Sequence, residues 1–201
     1  MKKALIIVDV QNDFCKGGAL EVPDADSVIP YINELMKENQ YDEIILTQDW
    51  HPANHKSFAS NNGRNVGETI TLNGAPQFMW PNHCVQGTFG AEFHKDLDRS
   101  KVTHIVQKGK NPEIDSYSGF QDNNHFMKTD LDDYLKFHDI QLVEIAGLAL
   151  DYCVKYTCID AAKNGYITCL HFNGTKAVNA KPDNGRDTIY QLLENGVSVL
   201  G

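Results

Sequence analysis

Three side chains in this sequence suit nucleophilic catalysis, and each falls at or just beyond the end of an apolar run. Cys153 lies in Gly147-Leu148-Ala149-Leu150-Asp151-Tyr152-Cys153, at the start of a segment with helical spacing. There the free backbone N–H groups and the positive end of a helix dipole favour thiolate, which makes Cys153 a candidate nucleophile. The competing reading is a packed, inert thiol like Cys158 or Cys169, a common fate of free cysteine. Lys108 follows the apolar run 103–107, and Asp9 ends the run that opens the chain. An ammonium beside a thiol and a carboxyl would stabilise the charged forms of both. Lys108 also opens Lys108-Gly109-Lys110, which on its own reads as a solvated loop. An acid closing an apolar strand is costly to desolvate without a partner, so Asp9 is the candidate base.

A second constellation has metal-ligand chemistry. Asp49-Trp50-His51 follows another apolar run, His55 stands four residues on, and His83 sits in Trp80-Pro81-Asn82-His83-Cys84. One carboxylate and two imidazoles with open positions suit a divalent cation. Asp49 and His51 reach one point only if the chain stays extended between them, and a polar loop with surface histidines explains the same spacing. His55 is the weaker ligand candidate and is read as supporting the site from behind the ligands. His94, His104, His125, His138 and His171 have no carboxylate at motif spacing and read as structural or surface residues.

Groups so far apart in sequence meet only if a fold gathers the ends of strands. Apolar runs at 3–9, 43–48, 103–107, 142–146, 166–172 and 197–200 predict six strands, the first central and buried on both faces. Helical spacing over 26–39, 130–137, 151–164 and 186–194 predicts helices between them, the first capped by Asp26 or Ser27. This alternation predicts a three-layer α/β/α sandwich with a six-stranded, mostly parallel sheet, whose ligands bind beyond the carboxyl ends of the strands. Residues 50–101 break the rhythm; rich in Asn, Gly, His and Pro, they read as one long functional loop that holds the metal candidates. No repeat or linker interrupts the chain, so residues 1–201 read as one domain.

Composition narrows the partners. The 18 basic residues against 27 acidic give a net charge of −9, which repels phosphate backbones and anionic lipid, so neither nucleic acid nor membrane is expected to bind. Five cysteines without scaffold spacing read as reduced thiols, and the apolar run 4–8 is too short for a signal-peptide core, so a cytoplasmic protein is expected. A homo-oligomer is compatible with all of this.

Five segments, taken in register, carry a resemblance. Asp9-Val10-Gln11-Asn12-Asp13-Phe14, Thr47-Gln48-Asp49-Trp50-His51-Pro52, Trp80-Pro81-Asn82-His83-Cys84, Tyr117-Ser118-Gly119-Phe120 and Gly147-Leu148-Ala149-Leu150-Asp151-Tyr152-Cys153-Val154 resemble the nicotinamidase/pyrazinamidase branch of the isochorismatase-like cysteine hydrolases. The resemblance implies the isochorismatase-like fold. It also implies hydrolysis of nicotinamide to nicotinate and ammonia through a cysteine thioester, in NAD salvage, with pyrazinamide as a further substrate. It makes Asp9 the proton acceptor, Lys108 the charge stabiliser and Cys153 the nucleophile. Asp49, His51 and His83 become ligands of one divalent ion, zinc first, with iron or manganese as alternatives. The backbone N–H groups of Ala149 and Cys153 would form an oxyanion hole, with a cis peptide between Leu148 and Ala149, and Phe14, Trp80 and Tyr117 would border the pyridine ring. Where relatives often carry an acid after the fifth strand, this chain has Phe172-Asn173-Gly174-Thr175, expected to form a loop. A related amidohydrolase acting on another small amide or carbamoyl compound is the alternative enzyme, and a non-catalytic module binding a nicotinamide-like ligand is the alternative class. A vinyl-ether hydrolase of the isochorismatase type is disfavoured, because such relatives generally lack the cysteine and the histidines.

Overall fold

The computed structural model describes residues 1–38, 40–182 and 184–201. In chain order the elements are β1 (Lys2–Val8), α1 (Val28–Glu38), β2 (Glu43–Asp49), β3 (Thr69–Leu72), β4 (Ala75–Phe78), β5 (His104–Lys108), α2 (Leu131–Phe137), β6 (Ile140–Leu148), α3 (Lys155–Lys163), β7 (Ile167–Lys176), α4 (Asn184–Glu194) and β8 (Ser198–Leu200). Six strands form one sheet in the order β5-β2-β1-β6-β7-β8, every neighbouring pair parallel. Leu5, Ile7 and Leu46 face α1 on one side, while Ala4, Ile6, Val8 and Ile45 face residues of α2, α3 and α4 on the other. The chain thus forms the three-layer α/β sandwich, and burial on both faces is why β1 carries an uninterrupted apolar run. Among the described residues no helix is long and apolar enough to cross a membrane.

Helix α1 buries Val28, Ile29, Ile32, Leu35 and Met36, the positions its spacing marks, each contributing about 1.5–3 kcal/mol of gross burial. Pro30 falls in its first turn, where a missing N–H costs no intrahelical bond. The expected caps act elsewhere. Ser27 Oγ donates to the Asp24 carbonyl at 2.8 Å within a preceding 3-10 turn, and Asp26 Oδ1 accepts from Lys16 N–H at 3.0 Å. Residue 39, the expected end of this helix, lies outside the described residues.

Three expectations need correction. Residues 50–101 are not one irregular loop: β3 and β4 form an antiparallel hairpin with Leu72 opposite Ala75. Its turn is Asn73-Gly74, with φ of 50° and 82°, the left-handed pair that a two-residue hairpin turn requires. The Phe172–Thr175 stretch is strand, not loop. Pairing of β7 with β6 jumps from Leu170 opposite Ile145 to Thr175 opposite Gly147, so the intervening residues are taken up in a bulge. The helix expected from residue 151 opens as a π-helical turn, Leu150–Val154, before α3 begins.

Motif spacing also hid close carboxylate partners of three of the remaining histidines, because those partners lie far off in the chain. His104 Nε2 stands 3.0 Å from Asp130, His138 Nδ1 2.8 Å from Glu43, and His171 Nε2 2.7 Å from Glu144. Glu144 gathers the most, accepting also from Tyr41 OH at 2.7 Å and from Lys3 Nζ at 3.3 Å. The His171 bond, aided by Tyr41 and Lys3 against partial burial, brings the Glu144 carboxyl from its ordinary 4.5 to about 2. A lowered folded-state value contributes stability above the unfolded value and loses it as pH falls through the folded one. Glu144→Gln is therefore expected to cost about 1–2 kcal/mol at neutral pH, allowing for solvent screening. The gap to the parent should close between pH 4.5 and about 2, as read by denaturant melts across that range.

Candidate active site

The carboxyl ends of β1, β2 and β5 build the centre. β1 stops at Val8, and Asp9 turns off the strand with φ 47°, a left-handed conformation that a short Asp side chain tolerates. Thr47 Oγ1 donates to Asp9 Oδ1 at 2.6 Å. The β2/β5 register sets Asp49 opposite Lys108. Asp49 is clamped from behind by the buried Gln11 amide, whose Oε1 accepts from Asp49 N–H and whose Nε2 donates to the Asp49 carbonyl, both at 2.8 Å. On the β6 side, Gly147 lets the strands close in. Its φ is 117°, and a Cβ there would stand 2.1 Å from the Val8 carbonyl oxygen. The next segment carries the expected cis peptide, Leu148–Ala149, and delivers Cys153 to the same point.

Lys108 Nζ, fully buried, is the hub. It donates to Asp49 Oδ1 and the Ser116 carbonyl at 2.9 Å each and reaches Cys153 Sγ at 3.4 Å. Asp9 Oδ2 also stands 2.9 Å from Nζ, as an ion pair angled away from a directed hydrogen bond. Burial alone would lower the ammonium, but the Asp49 and Asp9 carboxylates outweigh it and hold Lys108 well above its ordinary range. Burial pushes the Asp9 carboxyl up, with Lys108 opposing and Asp49 adding. Two buried carboxylates around one ammonium leave an excess negative charge, which makes Asp9 a stronger base than an ordinary carboxylate. Cys153 corrects an expectation: burial pushes its thiol well up, Lys108 opposes, and the Asp9 and Asp49 carboxylates reinforce the rise. The helix-start argument for a standing thiolate fails because the dipole is outweighed by desolvation and two neighbouring anions.

Beside this hub lies a set with one donor atom each from Asp49, His51 and His83, all within 4.8 Å of one another. His51 Nδ1 bonds the Gly109 carbonyl at 2.9 Å and His83 Nδ1 the Pro81 carbonyl at 2.8 Å. Those bonds turn both Nε2 atoms toward Asp49 Oδ2, at 3.0 and 3.4 Å. Backbone carbonyls that fix the tautomer and aim the other ring nitrogen are the usual outer support of metal-ligating histidines, so the residues fit a divalent ion. Gly109 is required by this arrangement, since at φ 67° its Cβ would stand 2.5 Å from His51 Cε1. His55 is not in this set. Its ring packs 4.2 Å from that of His51, Nδ1 bonds Ser57 Oγ at 2.7 Å, and Nε2 is buried without a hydrogen-bond partner among the described residues. With His51 and Asp115 it forms a second close group.

An apolar pocket opens on Cys153 and Asp49, and Phe14, Trp80 and Tyr117 all line it, with Ala149 at its wall. Trp80 Nε1 donates to Tyr117 OH at 3.1 Å, and the Phe14 ring lies 5.6 Å from His83. The structure thus brings together every residue singled out for chemistry except His55, which stands one ring away.

A family model described as the isochorismatase domain matches residues 3–196. The chain belongs to the isochorismatase family. Among its relatives, the nicotinamidase of Escherichia coli K12 is 42% identical over 199 residues, covering 98% of this chain and 93% of that one. The solved yeast nicotinamidase bound to the inhibitor nicotinaldehyde matches with a TM-score of 0.94 at 35% identity, covering 98% of this chain and 99% of that one. The pyrazinamidase of Pyrococcus horikoshii in complex with zinc matches with a TM-score of 0.78 at 35% identity, covering 100% and 99%.

Several residues that shape this isochorismatase-family site carried no signal of their own in sequence reading. Gln11 acts through a side-chain amide on backbone groups, Thr47 through one hydroxyl, and Ser116 and Gly109 through backbone carbonyls, and their partners exist only once the sheet is in register. Tyr152 was within reach, one residue before Cys153. It lines the pocket and packs edge-on against Trp80 with ring centroids 4.8 Å apart.

Proposed function

We propose that this chain is a nicotinamidase, hydrolysing nicotinamide to nicotinate and ammonia through a thioester on Cys153, and that it also accepts pyrazinamide. The observation that carries this reading is the contact of Cys153 Sγ, at 3.4 Å, with an ammonium held between Asp9 and Asp49, where Cys153 and Asp49 line an aromatic pocket. The relatives' names support the substrate.

In the proposed reaction the ring is held among Phe14, Trp80 and Tyr117 with its carboxamide carbon facing Cys153. The Cys153 proton passes to Asp9 as sulfur bonds the carbon, and the backbone N–H groups of Ala149 and Cys153 receive the oxyanion. Lys108 screens the charge that moves between Cys153 and Asp9. Asp9 returns the proton to the departing nitrogen, the C–N bond breaks, and ammonia leaves a thioester. Water attacks that thioester, Asp9 takes its proton, the C–S bond breaks, and the proton goes back to sulfur as nicotinate departs. A raised Asp9 and a raised Cys153 fit this cycle, because the resting site then holds a thiol beside a carboxylate whose basicity burial has increased.

Asp49, His51 and His83 would hold one divalent ion, zinc first, with iron or manganese as alternatives. When bound, such an ion supplies a Lewis-acidic point of attachment at the ring end of the substrate. His55 would buttress His51. We read the chain as one domain acting in the cytoplasm in NAD salvage, with no nucleic-acid or membrane partner; the excess of 27 acidic over 18 basic residues supports the exclusion of phosphate-rich partners.

The test is ammonia release from nicotinamide, run beside pyrazinamide and a panel of small amides and carbamoyl compounds, with metal quantified in the same sample. Turnover of nicotinamide that is lost on chelation, and loss in His83→Ala of the metal bound by the Asp49, His51 and His83 set, is expected. Hydrolysis confined to a different amide would replace the substrate assignment. Gly109→Ala is expected to push His51 off its position, lowering affinity for added Zn²⁺ about 10–100-fold, as read by metal-buffered titration.

A further inference from the structure

Three segments outside the catalytic set meet on the α1 side of the sheet. Cys15 follows the turn that carries Phe14 and is 1% exposed; Asp26 stands in the 3-10 turn before α1; His94 lies on the loop whose N–H bonds the Val10 carbonyl at 2.9 Å. One donor atom from each lies within 4.8 Å of the other two. We propose that Cys15, Asp26 and His94 form a second metal site, for a thiolate-accepting divalent ion of the zinc class, with its fourth position open to solvent.

The donor set supports that class of ion. A thiolate, an imidazole and a carboxylate are zinc ligands, and three of them with an open position leave room for water or an exchangeable ligand. The supports are present as well. Lys16 N–H holds Asp26 Oδ1 at 3.0 Å, which leaves Oδ2 for the ion. Asp96 fixes the imidazole, its backbone N–H donating to His94 Nδ1 at 3.3 Å and its carboxylate standing 3.9 Å from the same nitrogen. Entry is from a cleft of about 360 Å³ lined in part by Asp26, Glu34, Asp96, His94 and Lys37, a mouth whose acids outnumber its lysine and favour cations. Without an ion, burial and the adjacent Asp26 carboxylate push the Cys15 thiol up to about 12. Binding exchanges that proton for the metal, forming an S–metal bond and releasing H⁺ to solvent, so affinity rises with pH. An occupied site would tie the turn carrying Phe14 to the entry of α1 and to the loop around residue 94.

The probe is Co²⁺, added to metal-free full-length protein and followed by its thiolate-to-cobalt charge-transfer absorption. The Asp49, His51 and His83 set contains no sulfur, so this band separates the two sites. We expect the band in the parent and in Cys153→Ala, and its loss in Cys15→Ser. Asp26→Asn and His94→Gln should each weaken Co²⁺ binding at this band at least about tenfold; they decide the matter if Cys15→Ser fails to reach the parent's far-ultraviolet circular dichroism. A parent without the band, a band that survives Cys15→Ser or vanishes in Cys153→Ala, or unchanged affinity in both Asp26→Asn and His94→Gln would overturn the proposal.

Discussion

Cys153→Ala is expected to lower nicotinamide turnover by a factor on the order of 10⁴ or more while the chain still folds. The substitution removes one sulfur that touches Lys108 at 3.4 Å, but Lys108 keeps its bonds to Asp49 and the Ser116 carbonyl and its ion pair with Asp9. Its stability cost is that of a small buried cavity, about 1–2 kcal/mol. The pocket walls stay, so binding of nicotinate, measured calorimetrically, should change little. What is lost is the bond-forming atom, for which no neighbouring group substitutes: Cys84 is buried, and burial with the nearby carboxylates pushes its thiol well up. A variant retaining more than about 1% of parental turnover, against the loss expected of a missing nucleophile, would remove Cys153 from that role.

Asp9, Asp49 and Lys108 were legible in sequence because each stands at the end of an apolar run, and parallel strands leave their ends in one place. Asp49 and Lys108 are register partners, so their contact follows from topology once β2 and β5 are recognised as neighbours. What the runs do not carry is the charge balance. A helix-start position suggests a thiolate at Cys153, yet burial pushes the thiol up, and Asp9 and Asp49, which add to that rise, stand more than a hundred residues earlier in the chain. The hairpin at Asn73-Gly74 had a local signal, a turn pair between alternating residues, which the surrounding Asn- and Gly-rich composition masked. The Gln11 clamp on Asp49 had none, since a buried amide serving backbone groups looks in sequence like any glutamine.

Lys108→Met should be the most damaging single change to the fold and nearly as damaging to catalysis as loss of Cys153. The new side chain fills similar space but leaves Asp9 and Asp49 buried without the cation that stood 2.9 Å from each. Breaking a buried pair by removing one partner costs about 3–5 kcal/mol, because the surviving charge is neither solvated nor matched. Asp9, already raised by burial, would then hold its proton and cease to act as a base, so turnover should fall about 10²–10⁴-fold through that loss alone. Asp9→Asn separates the two effects. It removes the base but leaves Lys108 paired with Asp49, so it should abolish activity comparably at a smaller stability cost. The decisive measurement is the double variant. Asp9→Asn removes one of the two carboxylates that Lys108→Met strands, so the two changes together should leave a more stable chain than Lys108→Met alone, a coupling of at least about 1 kcal/mol in denaturant melts. Additive losses would mean that the ammonium is held by packing rather than by the carboxylates, and the electrostatic account of the centre would have to be abandoned.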